Sequence, residues 1–208
     1  VTNHPQIHVI VNALVVDFTG SKGNFSTGVM VAPTMYYRKI EHGILILATG
    51  AEEWKPTEYL YGQDPRVLTQ LDLENRISTQ PDEVARAKQI VMIQCVGSRN
   101  EERPYCSRTC CSSAVKNALK IKELNPGAEI TILYRDMRTY GLMESYYGKA
   151  REHGILFVKY EPEAKPEVKK DGDRLSVSFV DRVLKEQMEL KPDLLILSAA
   201  TIPRENEE

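Results

Sequence analysis

The chain has 208 residues, of which 42% are hydrophobic and 27% are charged, a balance typical of globular domains rather than of disordered proteins. Its formal net charge of -2 argues against a nucleic-acid-binding surface, which is usually basic. No apolar run reaches the roughly 20 residues that span a bilayer, and the N-terminus lacks the basic and apolar regions of a signal peptide. We therefore expect a soluble, cytoplasmic protein that neither crosses a membrane nor binds nucleic acid.

The first part of the chain is rich in strand patterns. Residues 7–20 predict one or two strands that end in a glycine turn, and residues 24–33 predict a partner strand stopped by a proline. Residues 35–43 form a shorter segment of mixed polar and apolar residues, which is expected to connect or extend this β-meander. The apolar run Gly43–Ala48 predicts a strand that is buried on both faces.

The middle of the chain reads as a connection between two compositional blocks. Residues 51–66 are rich in proline, glycine and tyrosine and predict an ordered surface loop, whereas residues 69–78 predict one short amphipathic helix. A proline and a charged stretch follow. We place a domain boundary here, with residues 1–87 on one side and residues 88–208 on the other.

The second block alternates strands with helices. Apolar runs predict buried strands, and runs that end at glycine predict helices between them. The strands are expected at 88–95, 128–134, 155–160 and 194–200, and the helices within 107–124 and 142–154. Such alternation implies parallel strands joined by right-handed crossovers. The sequence thus predicts an α/β fold, a Rossmann-like half-fold that carries a β-hairpin around residues 175–180.

All four cysteines lie within 17 residues, at Cys95, Cys106, Cys110 and Cys111. Secreted disulfide scaffolds distribute their cysteines, whereas a crowded group indicates a metal, a cluster or redox chemistry. The first cysteine ends a predicted strand and the others lie at the start of the next helix, so all four are expected at the ligand-binding edge of a parallel sheet. A helix N-terminus also stabilises thiolates and an anionic cluster.

The residues alone leave the occupant of this cysteine group open. Four thiolates suit either a 4Fe-4S cluster or zinc, although adjacent cysteines are unusual for a zinc site built from C-x2-C pairs. Buried structural thiols or a disulfide are a third interpretation. A redox enzyme of the C-x-x-C type is disfavoured because the chain has no C-x-x-C. Arg99, Arg103 and Arg108 lie in the same loop and can offset negative charge.

Two long stretches, residues 95–123 (CVGSRNEERPYCSRTCCSSAVKNALKIKE) and residues 132–159 (ILYRDMRTYGLMESYYGKAREHGILFVK), closely resemble the A subunit of heterodisulfide reductase and its relatives in sulfate reducers. The similarity continues upstream through residues 46–62 and 67–74 and so extends over nearly the whole chain. It implies a thioredoxin-reductase-like flavoprotein core that binds FAD and carries iron–sulfur clusters. It also implies that the four cysteines hold a 4Fe-4S cluster within that core.

The same resemblance suggests two flavin contacts. Ala48-Thr49-Gly50 matches the turn that lies against the FAD in oxidoreductases with two dinucleotide domains, where Gly50 lets the backbone approach the cofactor. Lys116 follows the cysteines on the same predicted helix, where its ammonium group could stabilise a reduced, anionic flavin as a catalytic residue. A solvated helix lysine is the equal alternative.

The chain also departs from the family pattern. It has no G-x-G-x-x-G, the turn that binds the FAD pyrophosphate, so its FAD site is expected to be incomplete. The closing Gly-Asp segment and the ferredoxin-type cysteine runs of many relatives are missing too, which predicts a fragment or truncated homologue. Arg135, Asp136 and Arg138 lie where relatives bind an adenosine ribose, but without the glycines we expect a solvated charge cluster there.

We therefore expect residues 1–87 to be a partial FAD-domain segment, comprising a β-meander remnant, the ATG turn and a linker helix. Residues 88–208 are expected to form a Rossmann-like, pyridine-nucleotide-disulfide-oxidoreductase-like domain that carries the cysteines. The expected function is electron transfer between FAD and 4Fe-4S clusters in an anaerobic complex of the heterodisulfide-reductase type, with other subunits or further copies of the chain as partners. The alternatives are a non-catalytic interaction module, zinc-stabilised or metal-free, and an NAD(P)H-dependent disulfide reductase.

Overall fold

The computed structural model describes residues 2–204, and its internal contacts divide the chain into two compact units, Val1–Thr49 and Gly50–Glu208. The first unit is a three-stranded antiparallel sheet in the order β1-β2-β3, formed by β1 (Ala13–Ser21), β2 (Asn24–Val31) and β3 (Tyr36–His42). The carboxylate of Asp17 on β1 accepts hydrogen bonds from the Gly28 amide (3.1 Å) and the Tyr37 hydroxyl (2.9 Å). This bond set ties the three strands together in the meander that the sequence predicts.

The apolar run Gly43–Ala48 is not a buried strand, and that prediction is wrong. These residues adopt neither helix nor strand, and the side chains of Ile44, Ile46 and Leu47 are 77%, 83% and 80% exposed. A strand buried on both faces needs a hydrogen-bonding neighbour and a covering layer on each side. Between residues 2 and 204 no strand pairs with this run, so its apolar composition alone does not bury it.

The second unit is built around a five-stranded parallel sheet in the order β5-β12-β6-β7-β8. A three-stranded antiparallel sheet in the order β9-β10-β11 and a short two-stranded ladder of β4 and β13 accompany it. The strands are β4 (Glu52–Glu53), β5 (Val67–Thr69), β6 (Gln89–Val96), β7 (Glu129–Tyr134), β8 (Leu156–Lys159), β9 (Glu167–Asp171), β10 (Arg174–Asp181), β11 (Glu186–Leu190), β12 (Leu194–Ala199) and β13 (Thr201–Ile202). The helices are α1 (Gln70–Thr79), α2 (Pro81–Arg86), α3 (Cys110–Leu124) and α4 (Met143–Glu152). The predicted α/β fold with parallel strands and alternating helices is confirmed.

Local signals set the ends of these helices. Thr69 and Asp72 form a capping box at the start of α1, since each side chain accepts a hydrogen bond from the other residue's amide, at 3.1 and 3.0 Å. Such a cap satisfies two amides that have no partner within the helix. Helix α3 ends at Leu124, in agreement with the helix predicted within residues 107–124, and the Asn125 side chain donates to the Ala87 carbonyl (3.0 Å).

The parallel sheet is buried on both faces. On β6, Ile90 and Met92 pack against a core shared with the helices, while Val91 and Ile93 pack against a second core shared with the antiparallel sheet. All four side chains are 0% exposed, and each buried aliphatic side chain contributes about 1.5–3 kcal/mol. The hairpin predicted around residues 175–180 is part of a three-stranded antiparallel sheet that covers one face of the parallel sheet. The third strand is β9, formed by residues 167–171.

The two units meet at Thr49 and Gly50 along the chain, whereas the predicted boundary after residue 87 stays a prediction. Residues on both sides of position 87 belong to the second unit, since β5 joins the same sheet as β6. Among residues 2–204, none of the helices combines the length and apolar character needed to span a bilayer.

The buried carboxylate of Asp64 predicts acid sensitivity of the second unit. Arg66 binds it through its amide (3.0 Å), Nε (2.8 Å) and Nη2 (2.7 Å), which lowers the pKa of Asp64 to about 2 from 3.8. The folded state is thus stabilised above about pH 4, and this contribution is lost as the pH falls through about 2. Because Arg66 is partly exposed, we expect Asp64→Asn to cost about 1–2 kcal/mol of unfolding free energy at neutral pH.

Urea unfolding at several pH values measures this effect. The gap in unfolding free energy between wild type and Asp64→Asn should close as the pH falls toward about 2. Asp171→Asn is the matched control, because that carboxylate is 76% exposed and its replacement should change stability by less than about 0.5 kcal/mol. A gap that persists unchanged at low pH contradicts the assignment.

Candidate functional site

The four cysteines lie where strand β6 leads into helix α3. Cys95 is the last but one residue of β6, Cys110 and Cys111 are the first two residues of α3, and Cys106 lies in the loop between them. Carboxyl ends of parallel strands and N-termini of the following helices meet at one edge of such a sheet. The predicted placement of the cysteines in the fold therefore agrees with the structure.

A β-bulge gives Cys95 its orientation. Between the pairs Ile93–Leu197 and Val96–Ala199, strand β6 has one residue more than β12, and Cys95 adopts a left-handed backbone with φ +63°. Bulges often redirect side chains next to functional sites, and a left-handed non-glycine residue costs on the order of 1–3 kcal/mol. The Tyr160 hydroxyl donates to the Gln94 carbonyl (2.7 Å) and holds the bulge in place.

The four thiols are free and lie within range of one another's charge. Cys110 and Cys111 are 6% and 2% exposed, and the other two are partly buried. A hydrogen bond to Cys111, then burial, then the charges of the other cysteines raise the pKa of Cys110. The same hydrogen bond lowers the pKa of Cys111. The structure therefore brings the four predicted thiols close enough for their charges to interact.

The thiols do not converge on a single point. Among residues 2–204, no three His, Cys, Asp or Glu side chains are arranged to hold one metal ion. A tetrahedral zinc site needs all its sulfurs about 2.3 Å from one ion, whereas the cysteines of a 4Fe-4S cluster bind separate irons and stand further apart. The thiols of the described residues therefore do not form a ready-made site for a single metal ion.

Positive charge surrounds the thiols. Burial, followed by the charge of Cys111, raises the pKa of Cys95, while Arg99 and Arg135 act in the opposite direction. Two donor atoms on these arginines, Arg99 Nη1 and Arg135 Nε, are buried without a hydrogen-bond partner in the described part of the chain. Helix α3 adds its N-terminal partial charge, because Thr109 does not cap it with its side chain. The residues therefore fit an anionic, thiolate-bound cluster.

Trp54 supports the cluster loop, the segment between Cys95 and Cys110. The guanidinium of Arg103 lies 4.5 Å from the centre of the Trp54 ring and donates to the Gly97 carbonyl (3.3 Å). Gly97, with φ +71°, packs directly against the same ring. The sequence analysis missed Trp54, which lies in the irregular segment 51–66, where no periodic pattern marks a packed residue.

Lys116 and Cys110 line one cavity of about 340 Å³ in the second unit. The ammonium group of Lys116 forms an ion pair with Glu74 (2.7 Å) and is 60% exposed. Gly50 has φ +80°, a left-handed backbone conformation that favours glycine. Ala48 and Thr49 lie in the first unit; the predicted flavin contacts of these residues and of Lys116 stay predictions.

The charged residues after β7 form an internal network. Asp136 pairs with Arg99 (2.7 Å), Arg138 (3.9 Å) and Lys159 (3.9 Å), and Arg135 donates to the Arg99 carbonyl (2.9 Å). Asp136 is 46% exposed. These side chains hold each other and the cluster loop at the end of the strand.

Gly97→Ala tests the contact with Trp54. A Cβ at this position would overlap the Trp54 ring, so we expect a loss of about 2–4 kcal/mol in unfolding free energy from overpacking and left-handed strain. Gly62→Ala is the matched control, because Gly62 has φ +75° but nothing within 4 Å of the new Cβ. It should cost only about 1–2 kcal/mol.

Urea unfolding measures both costs. In a Trp54→Ala background, the extra cost of Gly97→Ala over Gly62→Ala should disappear, since the overlapping ring is gone. Equal costs for the two glycines in the wild-type background would show that Trp54 does not support the loop.

Comparison with known proteins identifies the relatives of the chain. It is 35% identical over 187 residues to the A subunit of H(2):CoB-CoM heterodisulfide,ferredoxin reductase from Methanothermobacter thermautotrophicus, a match to 82% of this chain and 28% of that protein. It is 37% identical over 185 residues to the iron-sulfur A subunit of CoB--CoM heterodisulfide reductase from Methanocaldococcus jannaschii, covering 80% of this chain and 28% of the relative. No protein-family model matches the chain.

Solved structures show the same fold. Thioredoxin reductase of T. acidophilum matches with a TM-score of 0.50 and 14% identity over 92% of this chain and 53% of that one. The FAD-bound cadaverine monooxygenase of Erwinia amylovora matches with a TM-score of 0.50 and 8% identity over 94% of this chain and 53% of that one. The thioredoxin-reductase-like fold class is confirmed. The chain spans about a quarter of the length of the curated relatives it matches, and by sequence it belongs to the family of heterodisulfide reductase A subunits.

Proposed function

We propose that the chain is the cluster-bearing part of a flavin and iron–sulfur oxidoreductase of the heterodisulfide-reductase type. The observation that carries this proposal is the group of four free thiols at the β6–α3 edge, beside two buried arginine donors that have no hydrogen-bond partner among the described residues. One relative is named as an iron-sulfur protein, and a protein of the same fold binds FAD. Cys95, Cys106, Cys110 and Cys111 would hold a 4Fe-4S cluster.

When bound, FAD exchanges electrons in pairs or singly and a 4Fe-4S cluster exchanges them singly, so together they connect two-electron with one-electron chemistry. The contribution of this chain is electrostatic. The N-terminus of α3 and the guanidinium groups of Arg99 and Arg135 favour the thiolate forms that bind iron. Partial burial keeps water away from the sulfurs, which strengthens these charge interactions.

The cavity beside Cys110 is the proposed meeting point with the flavin. Lys116 lines it together with Cys110, so its side chain shares this cavity with a proposed cluster ligand. There it would stabilise negative charge on a reduced flavin. The Ala48-Thr49-Gly50 turn is the proposed backbone contact, and the missing G-x-G-x-x-G means that this chain contributes only part of the FAD site.

The proposed partners are the other components of an electron-transfer complex, since the relatives are named as subunits. We expect the complex to work in an anaerobic cytoplasm, because low-potential iron–sulfur clusters are labile to oxygen.

Anaerobic reconstitution with iron and sulfide tests the cluster. Wild type should turn brown and bind about four irons per chain, the stoichiometry of a 4Fe-4S centre with four cysteine ligands. Replacing any one of the four cysteines by alanine should lower the iron content or leave a smaller cluster. Ser112→Ala, a change in the same first turn of α3, should leave the iron content unchanged. Iron and sulfide analysis with absorbance near 400 nm measures these outcomes.

A colourless protein that holds zinc after iron-replete anaerobic preparation would contradict the cluster and support a zinc-stabilised interaction module. The same preparation can be titrated with NADPH. A fluorescence change on binding would support the NAD(P)H-dependent reductase instead.

Lys116→Met tests the flavin contact. Loss of the ammonium group should lower the midpoint potential of bound FAD, because reduction adds negative charge that Lys116 no longer offsets. We expect at least a tenfold change in the ratio of reduced to oxidised flavin at fixed potential, read by spectroelectrochemical titration. Lys120→Met, a change on the same helix at a residue paired with Glu123, is the control and should leave the ratio unchanged. A midpoint potential of bound FAD that Lys116→Met leaves unchanged would contradict this part of the proposal.

A further inference from the structure

Two arginines next to Cys95 hold buried donors that their surroundings do not use. Arg99 donates from Nη2 to Asp136 (2.7 Å), yet its Nη1 is buried without a partner among residues 2–204. Arg135 donates from Nη1 to the Arg99 carbonyl (2.9 Å), yet its Nε is unpartnered in the same part of the chain. A buried donor without an acceptor loses its hydration without compensation. Two such donors on neighbouring cations indicate that an acceptor is expected between them.

Their position identifies the acceptor. Arg135 and Cys95 line the same enclosed cavity of about 70 Å³, and Arg99 lies four residues beyond Cys95 on the cluster loop. The amide of Arg99 donates to the Tyr105 carbonyl (3.2 Å), and its backbone is left-handed with φ +57°. Because Arg99 Nη1 is buried, the guanidinium points into the protein. Glu58 and Gln94 line this cavity as well. Burial raises the pKa of Cys95 and a hydrogen bond from Arg99 opposes that rise, which identifies the Cys95 sulfur as an acceptor for the Arg99 guanidinium.

We propose that Arg99 and Arg135 form a cationic pair that hydrogen-bonds the Cys95 sulfur of the bound cluster and raises the reduction potential of that cluster. This inference rests on the cluster proposed above and goes beyond it, because it assigns the control of the potential to two residues that do not bind iron. Hydrogen bonds to cluster sulfurs and local charge are established determinants of such potentials. Reduction adds one electron to the cluster, so cations at hydrogen-bond distance favour the reduced form.

Asp136 opposes this effect. Its carboxylate lies 2.7 Å from Arg99 and at 3.9 Å from Arg138 and Lys159, so it neutralises part of the positive charge that faces the sulfur. The same carboxylate also fixes the orientation of the Arg99 fork. The reduction potential of the cluster therefore depends on a balance of these charges. Removal of an arginine should lower the potential, and removal of the aspartate charge should raise it.

The experiment is a redox titration of the reconstituted 208-residue protein with dithionite, followed by the EPR signal of the reduced cluster. Arg99→Gln and Arg135→Gln should each change the reduced-to-oxidised ratio at fixed potential at least tenfold toward the oxidised form, a shift of about 59 mV to lower potential for one electron. Asp136→Asn should shift the ratio toward the reduced form. Arg174→Gln, a change at the exposed first residue of β10, is the matched control and should have no effect.

Iron content separates the possible failures. If wild type binds no iron, the proposed cluster is wrong and this inference falls with it. If wild type and variants bind equal amounts of iron and their clusters have the same reduction potential, the cluster proposal is supported and the proposed role of the arginines is wrong. If an arginine variant loses iron, Arg99→Lys and Arg135→Lys keep the charge but lose the fork geometry, and Asp136→Asn still tests the sign. A shift of Asp136→Asn in the same direction as the glutamine variants would overturn the inference.

Discussion

The burial of strand β6 on both faces is the constraint on which the site depends. Its central residues are fully enclosed between β12 and β7 within the sheet, and between the helices and the antiparallel layer across it. A parallel strand in this position has one free end for ligands, its carboxyl end. The bulge at Cys95 and the start of α3 are fixed there by the core, so the arrangement of the thiols follows from the packing of the strand and the helix that carry them.

The parts of the fold that could be predicted from sequence are those with a local physical signal. Strand β6 follows from an unbroken apolar run, and the end of α3 from Asn125-Pro126-Gly127. Gly43–Ala48 carries the same apolar signal as β6 but is exposed, because burial depends on neighbours that the run itself does not specify. Strand β9 was not predicted, because it is buried in part but carries no apolar signal. Its sequence EVKKD is mostly charged, and Val168 is the one side chain that packs on the core.

The same distinction between local signals and long-range contacts applies to the candidate functional site. The thiols were predictable since four cysteines crowd into a short segment, and their place at the sheet edge followed from the alternation of strand and helix. Arg99 was recognised as a cation of the loop, but its pairing with Asp136 and Arg135 joins residues about 36 positions apart. Trp54 is more distant still from any motif, and its contact with Gly97 arises only when the chain is folded. Long-range contacts of single side chains leave no periodic trace in the sequence.

The electrostatics of the thiols explain why this arrangement suits a cationic core. Burial and the charge of neighbouring cysteines both raise the pKa of Cys110, so four free thiolates cannot coexist here without a compensating charge. The helix N-terminus and the arginines supply part of it. In the proposed cluster, iron would supply the remainder at the sulfurs themselves. The arginines would then act on the net charge of the whole centre, where a single guanidinium could change the reduction potential without changing which residues bind iron.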